Sequence, residues 1–145
     1  MRLFRRRRWP REEWLALGEA FVVLAIVRLS LAAMNFKRIE RLTRRVVRRL
    51  APSPVDGTPE DDARLGRAVR RAAKLVPGAK CLAQATAAMV VSAHHNRRSR
   101  MTIGVKLGAT EAFGAHAWLE TPHGIPVGGE EAAQFAPLMT VDPYA

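Results

Sequence analysis

From Trp14 to Met34 the chain is almost unbroken apolar residues, and Ala20 to Val27 carries no polar side chain at all. Such a run reads as a helix with three possible surroundings: a bilayer core, a bilayer surface or the inside of a protein. A span needs about 20 mostly apolar residues, which this stretch just reaches. Glu19 and Arg28 oppose that outcome, because a charge near mid-bilayer costs roughly 2.5–3.5 kcal/mol even on insertion-derived scales. They stand nine residues apart and are expected to form one polar edge. The helix is therefore expected to be buried in protein or to lie on a membrane surface. Pro10 followed by Glu12 and Glu13 marks its start, since carboxylates suit the positive end of a helix dipole. The basic run Arg5–Arg8 would suit a signal peptide, but no small-residue cleavage site follows it cleanly.

Charge is distributed as unevenly as apolarity. Residues 1–50 hold 14 Lys and Arg against 4 Asp and Glu, whereas residues 51–145 hold 10 against 9. The formal net charge of +11 is thus a property of the N-terminal third. Within it, Ile39, Leu42, Val46 and Leu50 recur at spacings of three and four, with arginines on the other faces, which predicts a cationic amphipathic helix. Such a face suits solvent, anionic lipid or an acidic peptide. No zinc-finger spacing, RNP-like aromatic motif or helix-turn-helix signature accompanies the charge, so no nucleic-acid partner is expected.

At 145 residues the chain can bury a core without staples. Its single cysteine makes no internal disulfide, which fits a reducing, cytoplasmic setting, with membrane association left open by the N-terminal helices. Pro52, Pro54, Gly57 and Pro59 make residues 51–60 the one convincing linker. It divides a helical region, 1–50, from a core, 61–145. A short helix capped by Thr58 or Asp61 is expected to run to about Val76, burying Leu65, Val69, Ala72, Ala73 and Leu75, until Pro77-Gly78 stops it.

Chemistry becomes arguable after Gly78. Cys81 to Val91 is alanine-rich and helix-compatible, with Leu82, Ala85, Met89 and Val90 as its inner face. Cys81 falls in the first turn, where unpaired N–H groups and the dipole favour a thiolate. The alternative is a small buried hydrophobe. Met101 to Leu107 alternates like a strand, Ala112 to Glu120 makes a second, and Ile125 to Val127 a third beyond the turn at Pro122-His123-Gly124. The reading is α+β: a helix bearing the thiol, packed on a small antiparallel meander bearing His116, and preceded by N-terminal helices. A thiol and an imidazole are the minimum for nucleophilic acyl chemistry. His94 and His95 at a polar helix end, and His123 in the turn, are expected to be merely exposed. With no second cysteine beside a histidine, neither a metal site nor a cofactor is expected.

Three segments carry a resemblance: Cys-Leu-x-x-Ala-x-Ala-x at 81–88, Ile-Gly-Val-x-Leu at 103–107 and Phe-x-Ala-His-Ala-Trp-Leu-Glu at 113–120. Together they resemble the transglutaminase-like cysteine protease of lasso peptide biosynthesis, in its form as a leader peptidase encoded apart from the leader-recognition half. The resemblance implies a papain/transglutaminase-like core that cuts a ribosomal precursor peptide between leader and core. An ATP-dependent cyclase would then join the freed amine to an Asp or Glu side chain. It implies Cys81 as nucleophile and His116 as general base and later acid, with Trp118 and Glu120 shaping the site. The partners implied are the precursor peptide, a separate leader-recognition protein and the lasso cyclase.

One departure stands out. The family pattern places an Asp about a dozen residues beyond the histidine motif, where this chain reads Val127-Gly128-Gly129. Glu130 or Glu131 could reach back, with Glu130 preferred and Asp142 second; a partner or the backbone could also supply the acceptor. A thiol acyl transferase using the same pair, or a non-catalytic scaffold, are the competing functions. The N-terminal segment is expected to contact partners of the maturation complex.

Overall fold

The computed structural model describes residues 8–106 and 114–145. Arg5–Arg7 of the basic run, and Leu107, Ala112 and Phe113 of the strand motifs, lie outside the described residues. Four helices lead: α1 (Arg11–Ala33), α2 (Phe36–Leu50), α3 (Pro59–Ala73) and α4 (Cys81–His94). Strands β1 (Arg100–Lys106), β2 (Gly114–Thr121) and β3 (Gly124–Val127) come next, then the single turn α5 (Gly129–Ala132) and β4 (Ala136–Val141). The sheet is antiparallel in the order β3-β2-β1-β4, so the fold is α+β as its residues predict.

The centre of the molecule is α4. Ala83, Ala85, Ala87, Ala88, Met89 and Ala93 are all nearly inaccessible, a wider burial than the one inner face expected. A helix apolar on every side must be enclosed, and α1, α2 and α3 cover it on one side while β2 closes the other. The alanines are what allow it: with side chains this small, neighbouring elements approach closely without displacing one another. The burial of Leu82 and Val90 is only partial.

α1 packs on α3 and α4 through Ala20, Leu24 and Val27. Glu19 and Arg28 do not form one polar edge. Nine residues at about 100° each amount to two and a half turns, which sets them on opposite flanks of the packed face. Glu19 meets His94 and His95 at the end of α4, and Arg28 lies against Gly78 in the α3–α4 connection. At the start of the helix, Glu13 pairs with Arg67 and Arg71 of α3, each at 2.7 Å. Hydrogen bonding from Arg67 leads this cluster in holding the Glu13 carboxyl at about 2, despite an opposing desolvation effect.

The helix α2 is N-capped by Asn35, whose side chain accepts from the Arg38 amide. Two of its arginines clamp the C-terminus, Arg44 donating to the Asp142 carbonyl and Arg48 to that of Pro143. Leu24 and Val47 belong to the same hydrophobic cluster as Met89 and Leu119, so the N-terminal helices and the segment after residue 61 build one core. Within the linker, Ala51 is fully buried and Val55 bridges to Arg97.

Of the two cap candidates for α3, Thr58 holds the position. Its hydroxyl accepts from the Asp61 amide, the Asp61 carboxylate accepts from the Thr58 amide, and Pro59 opens the helix. The helix ends at Ala73, earlier than expected, which leaves Leu75 59% exposed rather than in the core. The sheet also gains a strand that the sequence pattern hides. β4 runs beside β1, carries Pro137, and is exposed over most of its length. Proline is tolerated there because β4 is an edge strand whose outer amides pair with no strand among the described residues.

Candidate functional site

The nucleophile candidate opens α4. Lys80 takes the N-cap position without a side-chain hydrogen bond, so the first-turn N–H groups are left without a side-chain partner and face whatever lies in front of Cys81. The first backbone bond of the helix runs from the Gln84 amide to the Lys80 carbonyl, and the Gln84 side chain donates to the Ala79 carbonyl at 2.9 Å. That second bond pins the loop before Cys81. The thiol is half-buried, packing against the core on one side. On the other it lines a cleft of about 830 Å³ together with Arg70, Gln84, His116, Pro126 and Glu131.

Alternation along β2 puts His116, Trp118 and Glu120 on one face and Ala117 and Leu119 on the other. Ala117 and Leu119 join the core. On the first face each residue has a partner across β1, in the register Gly104↔His116, Thr102↔Trp118 and Arg100↔Glu120. Glu120 accepts from Trp118 Nε1 at 2.9 Å, from Arg100 Nε at 2.7 Å and from the Thr102 hydroxyl. Burial pushes its carboxyl up, but these donors outweigh burial and hold it below the ordinary range. Trp118, 3% exposed, stacks beside the His116 ring with centroids 6.0 Å apart. Phe135 covers that ring at 5.1 Å. A Cβ at Gly104 would come within 2.8 Å of the Trp118 ring and 2.9 Å of Phe135, so only glycine leaves room for this stack. The motif is therefore a relay of contacts: Arg100 and Thr102 hold Glu120, Glu120 holds Trp118, and Trp118 flanks His116.

What orients His116 is a backbone atom. Its Nε2 lies 2.9 Å from the Gly128 carbonyl oxygen. A carbonyl only accepts, so this bond places the proton on Nε2 and leaves Nδ1 as the basic nitrogen. Gly128 reaches the position at φ +80°, where a Cβ would strike the Ala117 carbonyl at 2.8 Å. Among the described residues the carboxylate nearest Nδ1 is that of Glu131, at 3.9 Å. Glu130, the preferred third member in sequence, lines the cleft but makes no hydrogen bond or ion pair with His116 among the described residues. Asp142, the second choice, is spent elsewhere: its side chain accepts from the Tyr144 amide. It also stands five residues along the chain from Pro137, the neighbour of Gly104, roughly 16 Å away at strand rise.

Cys81 and His116 line the same cleft, and no hydrogen bond joins them among the described residues. Unliganded sites commonly leave such pairs loose until substrate binds. Sequence reasoning leaves a backbone acceptor open without naming Gly128, and it misses the Phe135 cover and the Gln84 brace. The Gly-Gly pair at 128–129 is the one available signal, since it marks a turn with positive φ. His94 and His95 are more than exposed polar residues. Their ring N–H groups donate to the two oxygens of Glu19 at 2.6 and 2.8 Å and fasten α4 to α1. These three bring their ligand atoms within 4.8 Å of one another. They lie a helix length from Cys81, about 20 Å. His123, expected in an exposed turn, bonds the Gly57 carbonyl and ties that turn to the linker.

Comparison with known proteins agrees with this geometry at the level of family. The family model for the transglutaminase-like superfamily matches residues 23–140, which takes in α2 to α4, the sheet up to the last residue of β4 and the second half of α1. Neither a curated protein nor a solved structure matches the chain. The matched domain is consistent with a cysteine protease or acyltransferase. A helix-opening cysteine, a strand histidine with a fixed tautomer and a match over most of the sequence lead to one conclusion: the chain belongs to the transglutaminase-like superfamily.

Proposed function

We propose that the protein is a cysteine peptidase that removes the leader from a ribosomally made lasso peptide precursor. The observation that carries the chemistry is the shared cleft of Cys81 and His116, with the His116 proton parked on Nε2 by the Gly128 carbonyl. Nδ1 is then the nitrogen that takes the thiol proton. The thiolate attacks the scissile carbonyl, and the N–H groups at the uncapped start of α4 face the oxyanion. His116 returns the proton to the departing amine of the core peptide. Water, deprotonated by the same nitrogen, releases the leader as a free carboxylate. Glu131 sits where it steadies the imidazolium formed in between. Specificity for a lasso precursor, a cytoplasmic setting, and partnership with a leader-recognition protein and a cyclase rest on the resemblance of the 81–88, 103–107 and 113–120 segments.

The test mixes the protein with precursor peptide and recognition protein and follows the products by mass spectrometry. Leader release by the parent, and none by Cys81→Ala, supports the peptidase. A new amide-linked product in place of the acid points to acyl transfer, and binding without product to a scaffold. A second substitution probes the orienting carbonyl. Gly128→Ala forces a strained backbone, costing about 1–3 kcal/mol, and is expected to lower kcat by roughly ten- to a hundredfold with a smaller change in KM. Unchanged kcat in a folded Gly128→Ala protein would remove the carbonyl from the mechanism.

A further inference from the structure

The face of α1 turned away from the core has no partner in the fold. Measured around the helix at about 100° per residue, Leu15, Gly18, Val22, Ile26, Leu29 and Ala33 fall within a narrow stripe opposite the buried Ala20, Leu24 and Val27. Leu15, Val22, Ile26 and Leu29 are 55–70% exposed. Only 17% of the apolar window of α1 is buried. Glu13 is paired with α3, Glu19 with His94 and His95, and Arg28 is turned toward Gly78, so the charges left on or beside the stripe are Arg11 and Glu12, in the first turn at its end.

The stripe continues onto α2. An apolar groove of about 280 Å³ is shared by Ile26 and Ser30 of α1, Met34 just beyond it, and Leu42 and Val46 of α2. Leu42 and Val46 are themselves 39% and 41% exposed. Beside them Arg38, Arg41, Arg45 and Arg49 point to solvent, and none of the four has an ion-pair partner among the described residues. Two other arginines of the same helix, Arg44 and Arg48, are bound to Glu40 and the C-terminal carbonyls. At the other end of the stripe stand Trp14, 58% exposed, and Trp9, which tilts against it with the Arg71 guanidinium of α3 over its ring.

We infer that this surface docks on an anionic membrane, with α1 lying in the plane of the interface. Three features select lipid. The exposed apolar stripe extends along a helix of 23 residues, about 35 Å, where soluble surfaces rarely keep a patch so long uncovered. Unpaired guanidinium groups border it, as phosphate headgroups require. Tryptophans mark its end, the residue type that settles at the interface between water and hydrocarbon. The helix does not span, because Ala20, Leu24 and Val27 hold the protein core on its other side. The cleft with Cys81 is lined by other elements, so docking leaves the chemistry untouched and does not depend on the peptidase assignment.

Flotation of the full chain with vesicles tests this, comparing pure phosphatidylcholine with phosphatidylcholine containing phosphatidylglycerol. The parent is expected to float with the anionic vesicles and at least tenfold less with the neutral ones. Ile26→Glu combined with Leu29→Glu changes only exposed positions and is expected to abolish flotation while circular dichroism stays that of the parent. Arg45→Gln with Arg49→Gln is expected to weaken binding roughly thirtyfold, at about a factor of five per arginine. No flotation of the parent, equal flotation on both vesicles, or flotation of the glutamate pair at the parental level would each overturn the inference. So would loss of binding to the recognition protein by the glutamate pair when the parent ignores vesicles, since the stripe would then be a protein-docking face.

Discussion

Two helices of nearly the same apolar character meet opposite fates in this fold. α4 is enclosed on almost every side, whereas α1 buries one face and leaves the other in solvent. The difference lies in side-chain size and in how many neighbours close around each helix. α4 is built from alanine, with Met89 as its one large, fully buried side chain, so three helices and a sheet close around it. α1 carries leucine, valine, isoleucine and tryptophan around its whole circumference, more bulk than two neighbours cover. Apolarity in α4 is used in folding; on the outer stripe of α1 it remains for another purpose. The proposed catalytic pair depends on α4, because a buried helix is a rigid mount for Cys81.

The strongest test of that division is at Cys81 itself. Cys81→Ala is expected to lower leader release by more than about a thousandfold, with thermal stability close to the parent because the residue is only half-buried. A large loss of stability in Cys81→Ala would return the cysteine to the role of packing residue. Inside the same helix the expected effect is on folding. Met89→Ala empties a fully buried site and is expected to cost about 2–5 kcal/mol in urea denaturation. A cost below about 1 kcal/mol would show that the enclosure of α4 is looser than its burial implies.

How legible these features are depends on where the information sits. Cys81 at a helix start and His116 in an alternating strand are written in residue types and spacing, so α4, β2 and their pairing can be read directly. The atom that orients His116 is the Gly128 carbonyl, and a backbone oxygen carries no residue-type signature. Sequence reasoning favours a carboxylate, Glu130 or Asp142, and neither bonds the imidazole. β4 escapes the sequence pattern for a related reason. It is an exposed edge strand with Pro137 in it, so neither alternation nor β-branched density announces it. The expected polar edge of Glu19 and Arg28 fails on simple geometry, since their spacing is a half turn more than a whole number of turns. The attachment of α1 through Glu19, His94 and His95 needs the tertiary fold, since the partners are 75 and 76 residues apart.

The attachment of α1 to the rest gives a prediction in pH. The folded Glu13 carboxyl is depressed from 4.5 to about 2, first by the Arg67 hydrogen bond. A depressed acid stabilises the fold above its unfolded value, and that contribution fades as pH falls from about 4.5 toward 2. Acid titration of stability should therefore show a loss in that window, on the order of 1 kcal/mol for a pair near the surface. Glu13→Gln should be less stable at neutral pH and flatter across the window. A Glu13→Gln curve parallel to the parent would mean that Arg67 and Arg71 do not hold α1 in solution.

The smallest expected effect is the most diagnostic for the contrast between the helices. Leu29 is 70% exposed on the outer stripe of α1, so Leu29→Ala removes little buried area and should change folding stability by less than about 0.5 kcal/mol. Set beside Met89→Ala in the same urea titrations, it separates two explanations of the bare stripe. If α1 folds back so that Leu29 is covered in solution, the substitution costs as much as a core truncation, about 2 kcal/mol or more. If the stripe faces water, as the packing of Ala20, Leu24 and Val27 on the other side requires, stability is indifferent and only binding to an outside surface responds. An equal response from Leu29→Ala and Met89→Ala would erase the distinction between the two helices, and with it the argument that the outer face of α1 is kept apolar for contact beyond the fold.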